Sequence, residues 1–148
     1  MHVVIVGCGR VGSALARGLV EGGHSVAIID RKPEAFARLG PDFGGQIIVG
    51  IGFDREILIS AGIEHADSVA AVTNGDNSNI LIARVARENF GIDKVVARIY
   101  DPQRAAVYQR LGIATVWPRC HGRQNACCGA FSQRRPRSSG STPAPKCR

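Results

Sequence analysis

The stretch HVVIVGCGRVG, residues 2–12, constrains the fold more than any other part of the chain. A run of β-branched residues at 3–6 is followed at once by Gly7, Gly9 and Gly12. In a strand–turn–helix unit the first glycine permits a tight turn, the second lets the backbone approach a pyrophosphate, and the third lets the helix pack on the strand. The spacing therefore predicts a βα unit whose helix begins beside phosphate groups.

The same alternation of apolar runs and helical stretches continues to residue 118. We predict strands at 3–6, 25–29, 46–49, 68–72, 95–99 and 115–117. We predict helices at 11–21, 33–39, 55–61, 77–89 and 102–111. Nearly continuous Val/Ile/Ala runs are typical of parallel strands that are buried on both faces. The pattern predicts an α/β fold: a doubly wound, Rossmann-like, six-stranded parallel sheet with helices on both faces.

Asp30 closes the second predicted strand, where a carboxylate can accept both hydroxyls of a ribose. A carboxylate at this place repels a 2′-phosphate, so NAD(H), ATP or ADP is favoured over NADP(H). Arg31, the next residue, leaves two alternatives open, because its guanidinium can stack on adenine or accommodate a 2′-phosphate.

Other strands of such a sheet should end at the same crevice. The third predicted strand is followed by Ile51 and Gly52, the fourth by Thr73 and Asn74, and the fifth ends near Arg98. These residues are predicted to line the ligand crevice, with the alternative that Arg98 forms only a surface salt bridge.

Two further polar residues leave alternatives open. Arg10 lies inside the glycine loop, where it is either a cation beside a polyphosphate or a solvated side chain. Asp76 precedes a predicted helix, and helix N-capping is the simpler interpretation of its position.

The first 118 residues offer little for catalysis. An oxidoreductase needs an acid–base pair and a substrate domain beside its cofactor. His2, His24 and His65 all precede predicted strands, at the end of the sheet away from the expected crevice. We therefore predict a binding module without catalytic or metal-ligating residues. The alternative is the cofactor domain of an NAD-dependent dehydrogenase that lacks its substrate domain.

Composition changes abruptly after residue 118. Residues 1–118 carry 12 Lys+Arg and 12 Asp+Glu, whereas residues 119–148 carry 7 Lys+Arg and no acid. The second stretch also lacks Leu, Ile, Val and Met, so it cannot bury enough apolar surface to order its backbone. We predict a globular domain at 1–118 and a disordered, basic, cysteine-containing tail at 119–148. The alternatives for this tail are contacts with zinc, nucleic acid or anionic lipid. The prediction for the chain as a whole includes no nucleic-acid partner.

Three stretches together resemble a known family. They are VIVGCGRVGSALARGLVEGGHSVAIID, IVGIGFDREILISAGIEHADSVAAVTNGDNSNILIARVAR and KVVARIYDPQRAAVYQRLGI. In combination they are similar to a TrkA-type RCK (KTN) domain, the nucleotide-binding N-terminal part of proteins that regulate potassium uptake. The resemblance covers nearly all of residues 1–118.

This resemblance implies a regulatory subunit that binds NAD(H) or adenine nucleotides and gates transport allosterically. Its implied partner is a membrane-embedded potassium transporter subunit, and its implied location is cytoplasmic, peripheral at the inner face of the plasma membrane. Homodimers or higher oligomers are implied where the family's C-terminal elements are supplied. The nucleotide contacts that the resemblance implies are Gly7, Gly9, Arg10, Val11, Asp30, Thr73, Asn74 and Arg98. Together with the residues predicted from the sequence pattern, the candidate contacts are Gly7, Cys8, Gly9, Arg10, Val11, Gly12, Asp30, Arg31, Ile51, Gly52, Thr73, Asn74 and Arg98.

The chain departs from the family pattern after Pro118. Family members continue with an amphipathic helix, whereas RCHGRQNACCGAFSQRRPRSSGSTPAPKCR has no helical apolar stripe. We hypothesise a frameshift or an alternative ending after about residue 118. A search of the other two reading frames for an amphipathic helix tests this hypothesis.

Overall fold

A computed structural model describes residues 1–116. The strands are β1 (His2–Val6), β2 (Ser25–Asp30), β3 (Gln46–Val49), β4 (Ser68–Ala71), β5 (Lys94–Arg98) and β6 (Ala114–Val116). The α-helices are α1 (Arg10–Glu21), α2 (Arg55–Ser60), α3 (Asp76–Phe90) and α4 (Pro102–Arg110). Two 3₁₀ segments, Pro33–Leu39 and Ile63–His65, complete the set. Trp117 of the predicted sixth strand and the predicted tail at 119–148 lie outside the described residues.

The six strands form one parallel sheet in the order β3-β2-β1-β4-β5-β6. From β1 the chain first builds outward through β2 and β3, and then returns to the other side of β1 with β4. The junction of β1 and β4 is therefore the point where the strand order reverses, and ligands of doubly wound sheets bind in the crevice beyond the strand ends at that point. The predicted doubly wound, Rossmann-like architecture is confirmed.

Alternate residues of the central strands enter two separate cores. Val4 and Val6 of β1 contribute to a core that also contains residues of α2, α3 and α4. Val3 and Ile5 contribute to the opposite core, which α1 and the segment Pro33–Leu39 cover. Helical segments therefore cover both faces of the sheet, as predicted.

The predicted helix at 33–39 is wrong in type, because the segment is a 3₁₀ helix. Proline at its start does agree with the prediction. Only Leu39 of its seven residues is buried, so tertiary packing does little to impose α-helical geometry on so short a piece.

The helices of residues 1–116 are all too short or too polar to cross a lipid bilayer. The helix α3 has 15 residues, whereas a membrane-spanning helix needs about 20 predominantly apolar ones.

Candidate functional site

A cleft of about 550 Å³ opens at the carboxyl ends of β1, β2, β3 and β4. Most of the predicted contact residues line it, from all four strand ends. They are Gly7, Cys8, Gly9, Asp30, Arg31, Ile51, Gly52, Thr73 and Asn74. The structure thus brings together, at the reversal point of the sheet, residues that are far apart in the chain.

The glycine loop packs closely against the ends of β2 and β4. Gly7 has a φ of +107°, and its N–H donates to the carbonyl of Ile29 at 2.7 Å. A Cβ atom at Gly7 would lie only 2.8 Å from the backbone nitrogen of Thr73. A Cβ atom at Gly12 would overlap the carbonyl oxygen of Gly7. Glycine is therefore required at both positions, for the turn and for helix packing.

Gly9 differs from these two glycines, because a Cβ atom there would meet nothing within 4 Å. It is the N-cap of α1 and has no side chain to satisfy the first N–H groups of the helix. Since Gly9 also lines the cleft, these N–H groups and the positive end of the helix dipole are available to an anion there.

Asp30 ties the end of β2 to the glycine loop. Its Oδ2 accepts from the backbone N–H of Cys8 at 2.7 Å, and its Oδ1 accepts from the N–H of Lys32 at 2.9 Å. A carboxylate has about four acceptor positions, so both oxygens can still accept ribose hydroxyls. The side chain fixes the loop and remains able to bind a ligand.

Cys8 is a buried thiol, 1% exposed, whose Sγ donates to the carbonyl of Ala35 at 3.2 Å. Burial raises the pKa of the Cys8 thiol, and the nearby Asp30 carboxylate raises it further, whereas the positive charge of Arg38 lowers it. The thiol therefore stays protonated near neutral pH and is a weak nucleophile. Its side chain packs in the core beneath the loop.

The side of the cleft beyond β3 is apolar and open. Ile51 and Phe53 line it and are 43% and 46% exposed. Gly52 lies against β1, because a Cβ atom there would overlap the side chain of Val6. Sequence reasoning missed Phe53. An aromatic residue directly after a strand end of such a sheet was the available signal.

Asn79, which the sequence analysis also missed, holds the β4 side of the cleft. This residue of α3 is fully buried, and its side chain bonds both the backbone and the hydroxyl of Thr73. The only signal in the sequence was an asparagine in the second turn of a helix. Its burial could not be inferred from the sequence.

Four predicted contact residues do not line the cleft. Arg10 is exposed at the first position of α1, Val11 packs against the core under that helix, and Gly12 is buried beneath the loop. The guanidinium of Arg98 lies over the ring of Tyr100, 4.5 Å from its centroid. The alternative of an Arg98 salt bridge also fails within residues 1–116, where Arg98 pairs with no carboxylate.

Asp76 does not cap its own helix, so the N-cap interpretation is wrong. Gly75 is the N-cap of α3, and Asp76 is its first residue. The Asp76 carboxylate instead accepts from the backbone N–H groups of Tyr100 at 2.9 Å and Asp101 at 3.1 Å. It fastens α3 to the connection between β5 and α4.

The histidines lie as predicted, at the amino ends of the strands. The ring nitrogens of His2 lie 2.9 Å from the Ser25 hydroxyl and 2.9 Å from the Ala61 carbonyl. No histidine of residues 1–116 lines the cleft. The same part of the chain contains no cluster of three or more His, Cys, Asp or Glu that could hold a metal ion.

Fold and cleft together define a Rossmann-like α/β domain with a glycine-rich loop at the reversal point of its sheet. Residues 3–117 match the TrkA-N domain model, and the chain belongs to the TrkA-N domain family. The resemblance stated from the sequence is thereby confirmed.

The curated proteins that are similar to the chain include two relatives from the Trk potassium uptake system. The Trk system potassium uptake protein TrkA of Streptomyces coelicolor is 66% identical over 116 residues, which is 78% of this chain and 52% of that protein. A TrkA homolog of Methanothermobacter thermautotrophicus is 35% identical over 113 residues, 76% of this chain and 52% of the relative. The chain therefore spans about half the length of the curated relatives it matches.

Among solved structures, the Kef C-terminal domain of Shewanella denitrificans in its AMP-bound form superimposes with a TM-score of 0.70. It is 25% identical to this chain, and the match covers 80% of this chain and 72% of the Kef domain.

Proposed function

We propose that residues 1–118 are the nucleotide-binding part of a regulatory subunit of a potassium uptake system. The observation that carries this proposal is the 66% identity to the Streptomyces coelicolor TrkA protein over nearly the whole family domain. The cleft supports it, because it combines an uncapped helix start, a tight glycine loop and a carboxylate at the end of β2.

The ligand we propose is NAD(H) or ATP/ADP in preference to NADP(H). The acceptor positions left on Asp30 suit ribose hydroxyls, and its negative charge opposes a 2′-phosphate. The AMP in the similar Kef domain is in keeping with an adenine nucleotide. We propose as direct contacts the cleft residues Gly7, Cys8, Gly9, Asp30, Arg31, Ile51, Gly52, Thr73 and Asn74.

The nucleotide acts as an allosteric signal in this proposal. A ligand shifts a population of conformations only as far as its affinity differs between them. Different nucleotides would favour different arrangements of paired domains, and these arrangements would act on a membrane-embedded potassium transporter subunit. The chain would work at the cytoplasmic face of the membrane, as part of a homodimer or a higher oligomer where the family's C-terminal elements are supplied.

We propose that the chain catalyses no reaction of its own. The titratable groups at the cleft are a protonated buried thiol, carboxylates and surface cations, and no histidine of the described residues is among them. Hydride transfer would need a positioned acid or base beside the cofactor.

Calorimetric titration of the full chain with NADH, NAD, ATP, ADP and NADPH tests the proposal. We expect binding of at least one of the first four nucleotides, weaker binding of NADPH, and no oxidation or reduction of added metabolites. Asp30→Ala should weaken NADH binding about 10-fold or more, because hydrogen bonds to a charged group contribute about 1.5–3 kcal/mol. Asp42→Ala is the matched control, since Asp42 is exposed and does not line the cleft.

Absence of binding by all five nucleotides would overturn the nucleotide proposal. Hydride transfer to any metabolite would instead favour the dehydrogenase alternative.

A further inference from the structure

Asn79 uses its whole hydrogen-bonding capacity on two strand ends. Its Oδ1 accepts from the Thr73 N–H at 2.8 Å and from the Thr73 hydroxyl at 2.6 Å. Its Nδ2 donates to the Thr73 carbonyl at 3.0 Å and to the Arg98 carbonyl at 2.7 Å. A side-chain amide has two donors and two acceptor positions, so all four are satisfied. The side chain is 0% exposed, where an unmet polar group would be costly.

These bonds lie where the sheet itself stops joining β4 to β5. The paired positions of the two strands end at Ala71 and Ala97. Beyond them, Thr73 turns along the cleft and Arg98 pairs with β6. Asn79 replaces the missing sheet contacts, because it bonds Thr73 and the Arg98 backbone at the same time.

Thr73 in turn borders the glycine loop. Its backbone nitrogen is 2.8 Å from the place of a Cβ atom on Gly7, so the two backbones touch across the junction of β1 and β4. Thr73 also lines the cleft directly, with Asn74 beside it. A shift of Thr73 therefore changes the cleft wall on the β4 side.

We infer that Asn79 is a positioning residue for the second half of a dinucleotide, an inference that rests on the proposed nucleotide function. A dinucleotide lies across the reversal point of the sheet, with one half on each side. The Asp30 carboxylate belongs to the β2 side, and Thr73 with the Arg98 backbone belongs to the β4 side that Asn79 holds together. Asn79 then sets affinity for NADH and has little influence on AMP, which occupies one half only.

The test compares NADH and AMP binding by calorimetry in the wild-type full chain, Asn79→Ala and Asn79→Asp. Asn79→Ala should weaken NADH binding at least 10-fold and AMP binding less than 3-fold. Asn79→Asp keeps the acceptor to Thr73 and loses both donated bonds, so NADH affinity should fall and AMP affinity should again change little. Asn89→Ala is the control, because Asn89 is exposed on the same helix.

A second measurement needs no variant that could fail to fold. In the ¹⁵N-labelled wild-type chain, the side-chain amide signals of Asn79 should shift on addition of NADH and stay in place on addition of AMP. The inference would be overturned if the Asn79 variants lost affinity for NADH and AMP equally, or if their affinity for NADH were unchanged. It would also be overturned if both ligands shifted the Asn79 amide signals equally. Failure of the wild-type chain to bind NADH while it binds ATP or ADP would also overturn the inference. Failure to bind any of NADH, NAD, ATP, ADP and NADPH would overturn the proposed function instead, so the two failures are distinguishable.

Discussion

At the scale of single residues, the three glycines of the loop have three different physical roles. Gly7 needs its positive φ and its closeness to the Thr73 backbone, and Gly12 needs the absence of a Cβ atom against the Gly7 carbonyl. Gly9 has ordinary backbone angles and free space around it, so the fold does not require glycine there. Its smallness benefits only a ligand that approaches the start of α1.

The pair Gly12→Ala and Gly9→Ala should separate folding from binding. Gly12→Ala should lower the free energy of unfolding by about 2–3 kcal/mol or more, because the new methyl group overlaps backbone. Gly9→Ala should cost less than about 1 kcal/mol as an N-cap change and should still weaken nucleotide binding. Urea unfolding and calorimetry measure the two effects. A stable Gly12→Ala variant would contradict the packing argument.

At the scale of elements, the first two turns of α3 organise the structure after β4. Asp76 holds the connection between β5 and α4, and Asn79 holds the ends of β4 and β5. The helix α4 depends on this arrangement, because its N-cap Asp101 donates its own N–H to Asp76 while its side chain accepts from Gln103. Helix composition predicted that α3 and α4 form. The long-range contacts of Asp76 and Asn79 determine how these helices are attached to each other and to the ends of β4 and β5.

Asp76→Ala should loosen α4 and its preceding loop. Two backbone N–H groups lose a charged acceptor, so we expect the free energy of unfolding to fall by about 1.5–3 kcal/mol. Amide hydrogen exchange should accelerate at Tyr100, Asp101 and the first turn of α4. Asp93→Ala is the control, because Asp93 is exposed before β5. Unchanged exchange at Tyr100 and Asp101 would contradict this role for Asp76.

At the scale of the whole molecule, two hydrophobic cores share one sheet. Neighbouring residues of β2 point to opposite faces, so Ile28 lies in one core and Ile29 in the other. Both are 0% exposed, while Ile47 on the edge strand β3 is 45% exposed. Because the same strands contribute residues to both cores, disruption of one core should also destabilise the other.

Ile28→Ala and Ile29→Ala should therefore be similarly destabilising, each by about 2–5 kcal/mol, although they lie on opposite faces. Both variants should unfold in a single cooperative transition. Ile47→Ala should change the free energy of unfolding by about 0.5 kcal/mol or less. Urea unfolding followed by circular dichroism measures all three. A second transition in either core variant would show that the two faces unfold independently.

The sequence by itself determined the sheet, the positions of its helical segments and many of the residues that line the cleft. Apolar runs, glycine spacing and the position of Asp30 are local features, and local patterns report burial and turns directly. The 3₁₀ type of the segment Pro33–Leu39 could not be predicted, because only Leu39 is buried and packing therefore does little to favour the α-helix in so short a segment.

Only the tertiary structure decided which contacts hold the β4 side of the cleft in place. Asn79 joins Thr73, 6 residues away, to Arg98, 19 residues away, and Asp76 bonds groups 24 and 25 residues away. Arg98 stacks on Tyr100 rather than lining the cleft. These contacts exist because parallel strands bring distant parts of the chain to one edge of the sheet. Periodicity along the sequence shows which residues end the strands at that edge, but not which side chains form bonds there.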